Sequence, residues 1–155
     1  MTEEIYDVFL SHSHTDAEYV EKLAELLEDK KGLKSWLDKW VVVPGGSFQQ
    51  PITKGLEEAK SCAVFLGAKT AGGWFKKEYQ AALNRQAEDE SFRVIPVLLP
   101  GADPKALNFF HKLHDWVDFR NEKDFEYALH RLTSGIKGEP PGRWPPAARQ
   151  GTEGL

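Results

Sequence analysis

Apolar residues along this chain alternate between two rhythms: short continuous runs, and longer stretches in which they return every third or fourth position. The runs Ile5–Leu10, Ser35–Asp38, Cys62–Leu66, Phe92–Leu99 and Trp116–Phe119 predict strands, and the all-apolar third run predicts burial on both faces. Pro96 inside the fourth run predicts a place near an edge or a bulge. Between the runs lie helical stripes. The first, Ala17, Val20, Ala24 and Leu27, is capped by Thr15 or Asp16 and stopped by Gly32. In the second, Ser47 and Gln50 form a capping-box spacing ahead of Phe48, Ile52 and Leu56, with Pro51 blurring its start. The third carries Phe75, Tyr79, Ala82 and Leu83 inward, and the last, from about Asn121 to Ile136, carries Phe125, Ala128, Leu129, Leu132 and Ile136.

Strands alternating with helices predict an α/β protein: a five-stranded parallel sheet in the order 2-1-3-4-5 with helices on both faces. Open sheets of that order bind ligands beyond the carboxyl ends of the strands, where the winding reverses between strands one and three. Those ends are Ser11 to His14 and Gly67 to Glu78.

A length of 155 residues fits one domain, placed at residues 1–137. The remainder, 138–155, holds Pro140-Pro141-Gly142 and Pro145-Pro146 and reads as a linker or disordered tail, an exit toward an effector or sensor domain. A net charge of -4 without a basic stripe argues against a dedicated nucleic-acid binder. No apolar run approaches a membrane span. Cys62 is the only cysteine, so no intrachain disulfide can form; with no signal-peptide pattern after Met1, a reducing cytoplasm is expected.

The chemistry concentrates in Gly72-Gly73-Trp74-Phe75-Lys76-Lys77-Glu78. Trp74 and Glu78 share a helix face at i and i+4, and the other helical neighbours of Glu78 are Phe75, Ala81 and Ala82, none of them basic. Such a carboxylate either points into water or meets something positively charged. Ordinary glycoside hydrolysis needs a second carboxyl group to protonate the leaving oxygen, and no obvious one accompanies Glu78. A nicotinamide joined to ribose is already cationic and leaves as a neutral ring. One acceptor that binds the ribose hydroxyls and stabilises an oxocarbenium-like transition state then suffices.

Pro44-Gly45-Gly46-Ser47 is either a plain turn with a helix cap or a set of backbone amides for a diphosphate; it is not a Walker motif. Phe48 either stacks on a base or joins the core. His12 and His14 read as loop histidines near the site or as the start of a metal site lacking an evident third ligand beyond Asp16; we expect no metal. Cys62 reads as a small buried hydrophobe rather than a nucleophile. No Gly-x-Ser-x-Gly elbow is present, and the acids a response regulator needs are missing from Ser11-His12 and Gly67-Ala68.

Taken in order, Tyr6–His12, Trp36–Trp40 with Pro44–Phe48, Cys62–Gly67 with Trp74 and Glu78, and then Arg93–Gly101 and Trp116–Phe119 resemble the Toll/interleukin-1 receptor (TIR) domain family over residues 4 to 137, in its bacterial branch. The resemblance implies a flavodoxin-like fold and either of two roles. One is cleavage of NAD+ at the nicotinamide–ribose bond to give nicotinamide and linear or cyclic ADP-ribose, in a signalling or anti-phage effector activated by self-assembly. NAD+ is then the substrate and no cofactor is required. The other is a non-enzymatic adaptor working through TIR–TIR contact. The resemblance places the catalytic glutamate at Glu78 and substrate contacts at Trp74, Phe48, Ser11, His12, Asp38, Gly45, Gly46 and Ser47. It maps the BB loop onto Lys39 to Ser47, with Trp40, Val41, Val42 and Val43 as its interface residues. Some enzymatic members carry arginines where this chain has His12 and His14.

Overall fold

The computed structural model describes residues 5–41, 43–45, 49–68, 76–110 and 115–145. Its centre is a five-stranded sheet in the order β2-β1-β3-β4-β5, every neighbouring pair parallel: β1 is Val8–Ser11, β2 Ser35–Trp36, β3 Ser61–Leu66, β4 Arg93–Leu98 and β5 Val117–Asp118. The register sets Phe9 beside both Trp36 and Cys62, and runs β3 along the whole of β4 from Ser61 opposite Arg93 to Leu66 opposite Leu98.

Alternation of side chains sorts the core into two layers. Val8 and Leu10, Ala63 and Phe65, Ile95 and Val97 face α1 (Ala17–Lys31) and α5 (Phe125–Lys137), meeting Val20, Leu23, Leu27, Leu129 and Leu132. Phe9, Cys62, Val64, Leu66, Val94 and Leu98 face the opposite way, toward α3 (Gln49–Glu58) and α4 (Lys76–Glu88), with Leu56 and Ala82. Burial on both faces is why these strands read as continuous apolar runs. On the second layer Trp36 stacks on Phe9, ring centroids 4.3 Å apart, and Gly55 of α3 rides directly over its indole, where even a methyl group would collide. Cys62 is fully buried, as expected of a small hydrophobe.

Several expected boundaries shift. The first strand begins only at Val8, since Tyr6 bridges to Ala59 outside the sheet proper. The second is two residues long, because Asp38 opens a four-residue helix, α2 (Asp38–Val41), within the segment read as loop. Ala17 lies half-buried at the head of α1 while Leu23, absent from the expected stripe, is buried. Pro51 occupies the first turn of α3, where a missing N–H breaks no helical bond. Pro96 lies opposite Val64 in a stretch of β4 that β5 does not reach, since β5 pairs only with Val97 and Leu98. Its side of β4 is therefore a local edge.

α5 follows a capped 3-10 turn, Glu122–Asp124, and is fastened at its carboxyl end. Asn121 accepts from the Lys123 N–H ahead of it, and at its far end Arg93 donates to the carbonyls of Gly135 at 2.8 Å and Ile136 at 2.8 Å. The guanidinium thus satisfies carbonyls that a helix terminus leaves open, at the negative end of its dipole. Beyond Gly138 the chain turns back along α5: His130 Nε2 lies 2.7 Å from the Pro141 carbonyl, and the Trp144 ring packs at 5.0 Å from His130 and 5.6 Å from Tyr127.

Candidate functional site

β1 ends in Ser11, which is buried, and the chain then turns sharply through His12 and Ser13 into a short 3-10 turn, His14–Asp16, that leads straight into α1. The His12 ring is almost entirely covered, with 6% of its side chain exposed. Its Nδ1 lies 3.1 Å from the Leu10 carbonyl; a carbonyl only accepts, so Nδ1 carries the proton there and the ring is held with Nε2 facing outward. That nitrogen is 3.8 Å from Asp38 Oδ1, across the gap between the ends of β1 and β2. Asp38 sits where α2 begins. Its Oδ1 accepts the Lys39 N–H at 2.8 Å at the start of α2, and its side chain remains 39% exposed.

The strand-one/strand-three junction is closed by a contact that no local spacing signals. Asp16 occupies the N-cap position of α1 yet makes no capping bond. Its carboxylate accepts from Ser13 Oγ at 2.9 Å and lies flat against Gly67, the residue after β3, so closely that a Cβ at position 67 would stand 2.3 Å from either oxygen. Only a glycine lets the end of β3 pass that carboxylate. From Gly67 the chain proceeds toward α4, whose opening turn contains Glu78. Glu78 thus lies in the first turn of the helix that follows β3, while its side chain falls outside the described part of the structure.

Trp74, Phe48, Gly46, Ser47 and Val42 lie outside the described residues. Gly45 is described, exposed, with φ +83, a left-handed conformation that favours glycine at this turn. In the BB-loop segment Trp40 is 41% and Val43 68% exposed, whereas Val41 is half-buried against the Trp36 layer. Trp40 is nonetheless held: its indole N–H donates to Glu21 Oε2 at 3.0 Å, and Lys39 Nζ donates to Glu21 Oε1 at 3.1 Å. Those two donors hold the Glu21 carboxyl below the usual carboxylate range. The structure thus brings Ser11, His12 and Asp38 together at the junction beside Asp16, a residue read from sequence chiefly as a helix cap. No group of three metal-capable side chains occurs among the described residues, and none of their helices is long and apolar enough to cross a membrane.

A hollow of about 280 Å³ lies at the amino end of the sheet between Arg93, Ile95, Trp116, Arg131 and Gly135. It is remote from the mouth, and its two arginines are committed to main-chain carbonyls, Arg93 to α5 and Arg131 to Trp116 at 2.7 Å.

A family model described as TIR domain matches residues 8–133. Among curated proteins the chain is 39% identical over 138 residues to the 2' cyclic ADP-D-ribose synthase AbTIR of Acinetobacter baumannii, covering 87% of this chain and 51% of that one. It is 37% identical over 94 residues to the NAD(+) hydrolase TirS of Staphylococcus aureus, covering 59% and 33%. It is 27% identical to the NAD(+) hydrolase TcpA of a Theionarchaea archaeon, covering 82% and 39%. The chain thus spans a third to a half of the length of these relatives. Among solved structures, the TIR domain of the Toll-related receptor TRR-2 of Hydra magnipapillata superposes with a TM-score of 0.66 at 21% identity, over 85% of this chain and 98% of that one. The RPS4 and RRS1 TIR domain heterodimer gives 0.61 at 17% identity, over 84% and 95%.

Proposed function

The chain belongs to the TIR domain family, and on that premise we propose that it cleaves NAD+ at the bond between nicotinamide and ribose, with Glu78 as the catalytic carboxylate. The observation that carries this reading is the place of Glu78 in the opening turn of α4, the helix that follows β3 in a sheet whose winding reverses between β1 and β3. It draws further support from three relatives whose names state NAD(+) hydrolysis or 2' cyclic ADP-D-ribose synthesis.

In this reading the bond from ribose C1′ to the pyridinium nitrogen breaks with its electron pair going to nicotinamide, which leaves neutral. Glu78 accepts hydrogen bonds from the ribose hydroxyls and offsets the positive charge developing on the sugar. Water, or a hydroxyl of the same nucleotide, then adds to C1′ and loses its proton to solvent, giving linear or cyclic ADP-ribose. Trp74 and Phe48 flank the bases, and Gly45, Gly46 and Ser47 offer amides to the diphosphate. No cofactor takes part. Self-association through the BB loop assembles the active form, in the cytoplasm, as the signalling part of a longer protein.

Nicotinamide release by the concentrated protein, compared with Glu78→Gln, tests this proposal. The variant keeps shape and loses charge, and a fall of about 10²–10³-fold is expected. Equal rates overturn it. The second reading, an adaptor without chemistry, rests on the exposure of Trp40 and Val43. It predicts that Trp40→Ala abolishes self-association and signalling output while Glu78→Gln leaves both intact.

A further inference from the structure

We propose that Asp38 is the specificity-determining residue of this site: it reads a free ribose hydroxyl pair on the substrate and turns away nucleotides that carry a 2′-phosphate, so the domain takes NAD+ and rejects NADP+. The inference rests on the reading of the site as one that cleaves NAD+, and extends it to the other end of the nucleotide.

The argument begins with placement. Asp38 follows β2 and Glu78 follows β3, on the two strands that flank β1, whose end carries Ser11 and His12. Strands two apart are separated by about 10 Å, a span that a dinucleotide held on the β3 side covers if its second sugar extends toward β2. In Rossmann dinucleotide-binding sheets, where β2 also flanks a central β1, an acidic residue after the second strand accepts hydrogen bonds from ribose hydroxyls, and an arginine there accommodates a 2′-phosphate instead; that chemistry is carried over to Asp38 by analogy. Asp38 fits the first description. It is half-exposed at the mouth, and its Oδ1 is occupied by the Lys39 N–H and faces His12 Nε2, so Oδ2 remains to accept from a diol.

The neighbouring charges sharpen the choice. His12 Nε2 is 3.8 Å from Asp38 and its ring is locked through Nδ1 to the Leu10 carbonyl, which holds the pair in place rather than offering a mobile cation. Lys39, the basic residue of α2 beside Asp38, is largely exposed and directs its Nζ to Glu21 at 3.1 Å rather than to Asp38. A 2′-phosphate entering here meets a carboxylate while the adjacent ammonium is turned toward another one. Like charges juxtaposed without compensation are strongly disfavoured.

The test measures kcat/KM for NAD+ and for NADP+ with the full chain, at a concentration that permits assembly, together with binding of ADP-ribose and 2′-phospho-ADP-ribose by NMR line perturbation. We expect the native protein to prefer the unphosphorylated member of each pair by about tenfold or more. Asp38→Asn, with Asp38→Ser as a second variant should the first misfold, is expected to collapse that preference, chiefly through a lower KM for NADP+. Asp38→Glu, which restores the charge, is expected to keep it. Adding Glu21→Gln to Asp38→Asn frees Lys39 and is expected to improve NADP+ further. Equal use of both nucleotides by the native protein, or a ratio that Asp38→Asn leaves unmoved, overturns the inference while leaving NAD+ cleavage standing. Absence of nicotinamide release together with selective ADP-ribose binding overturns the cleavage reading and upholds the role of Asp38; no binding or turnover of either nucleotide overturns both.

Discussion

The indole of Trp40 donates its N–H to Glu21 Oε2 at 3.0 Å, so the aromatic of α2 is moored to the flank of α1 even though 41% of it is exposed. Glu21 also holds Lys39, and its carboxyl lies below the ordinary range because both donors favour its charged form. A group depressed in this way contributes stability that is complete above its unfolded-state value, about 4.3 for glutamate, and that disappears as pH falls through the lower folded value. The indole N–H resonance of Trp40, identified by its loss in Trp40→Phe, is therefore expected to titrate with a midpoint below that of a free glutamate. Glu21→Gln abolishes the titration. A Trp40 resonance that does not move between neutral pH and pH 2 sinks this mooring.

The contact between Asp16 and Gly67 makes a second prediction. Gly67→Ala drives a methyl group into a carboxylate held by Ser13, and is expected to cost about 1–3 kcal/mol by overpacking. In an Asp16→Ala background the same change is expected to cost far less, since the obstruction is gone. Equilibrium denaturation of the four proteins measures the coupling. Additive effects would mean that the two positions do not press on each other.

Trp144 provides a third. Its ring lies against Tyr127 and His130 but remains 39% exposed, so Trp144→Ala is expected to lower stability by only about 1 kcal/mol, in the range of a partly solvated aromatic pair. Amide exchange in α5 localises the effect: protection there is expected to fall while that of β1 and β3 stays unchanged. An equal loss of protection across the sheet contradicts a strap that acts only on α5.

Long-range order in this domain was legible because its central strands are covered on both sides. Cys62–Leu66 has no polar position to disguise it, and the alternation of strand with helix then constrains the winding. Legibility failed where a residue's partner lies far along the chain. Asp16 looks like a helix cap by every local rule, yet its carboxylate is claimed by Ser13 and pressed against Gly67 on another strand. Asp38 looked like the end of a strand, but its side chain bonds the next amide and starts a helical turn instead. Trp40 looked like a free interface residue because its acceptor, Glu21, is invisible at helical spacing. Glu78 falls in the first turn of a helix after β3, as the alternation of strand with helix implied.

The returning segment after Gly138 has a geometric consequence. α5 descends from the mouth to the amino pole, about 20 Å for thirteen residues, and without Trp144 the polypeptide would depart from there. By doubling back to Tyr127 and His130, the strap carries the chain up again, so Pro145 stands toward the pole where the strands end rather than the one where they begin. Two otherwise identical versions of this domain, one ending at Gly138 and one retaining the strap, would hold their cargo at opposite poles.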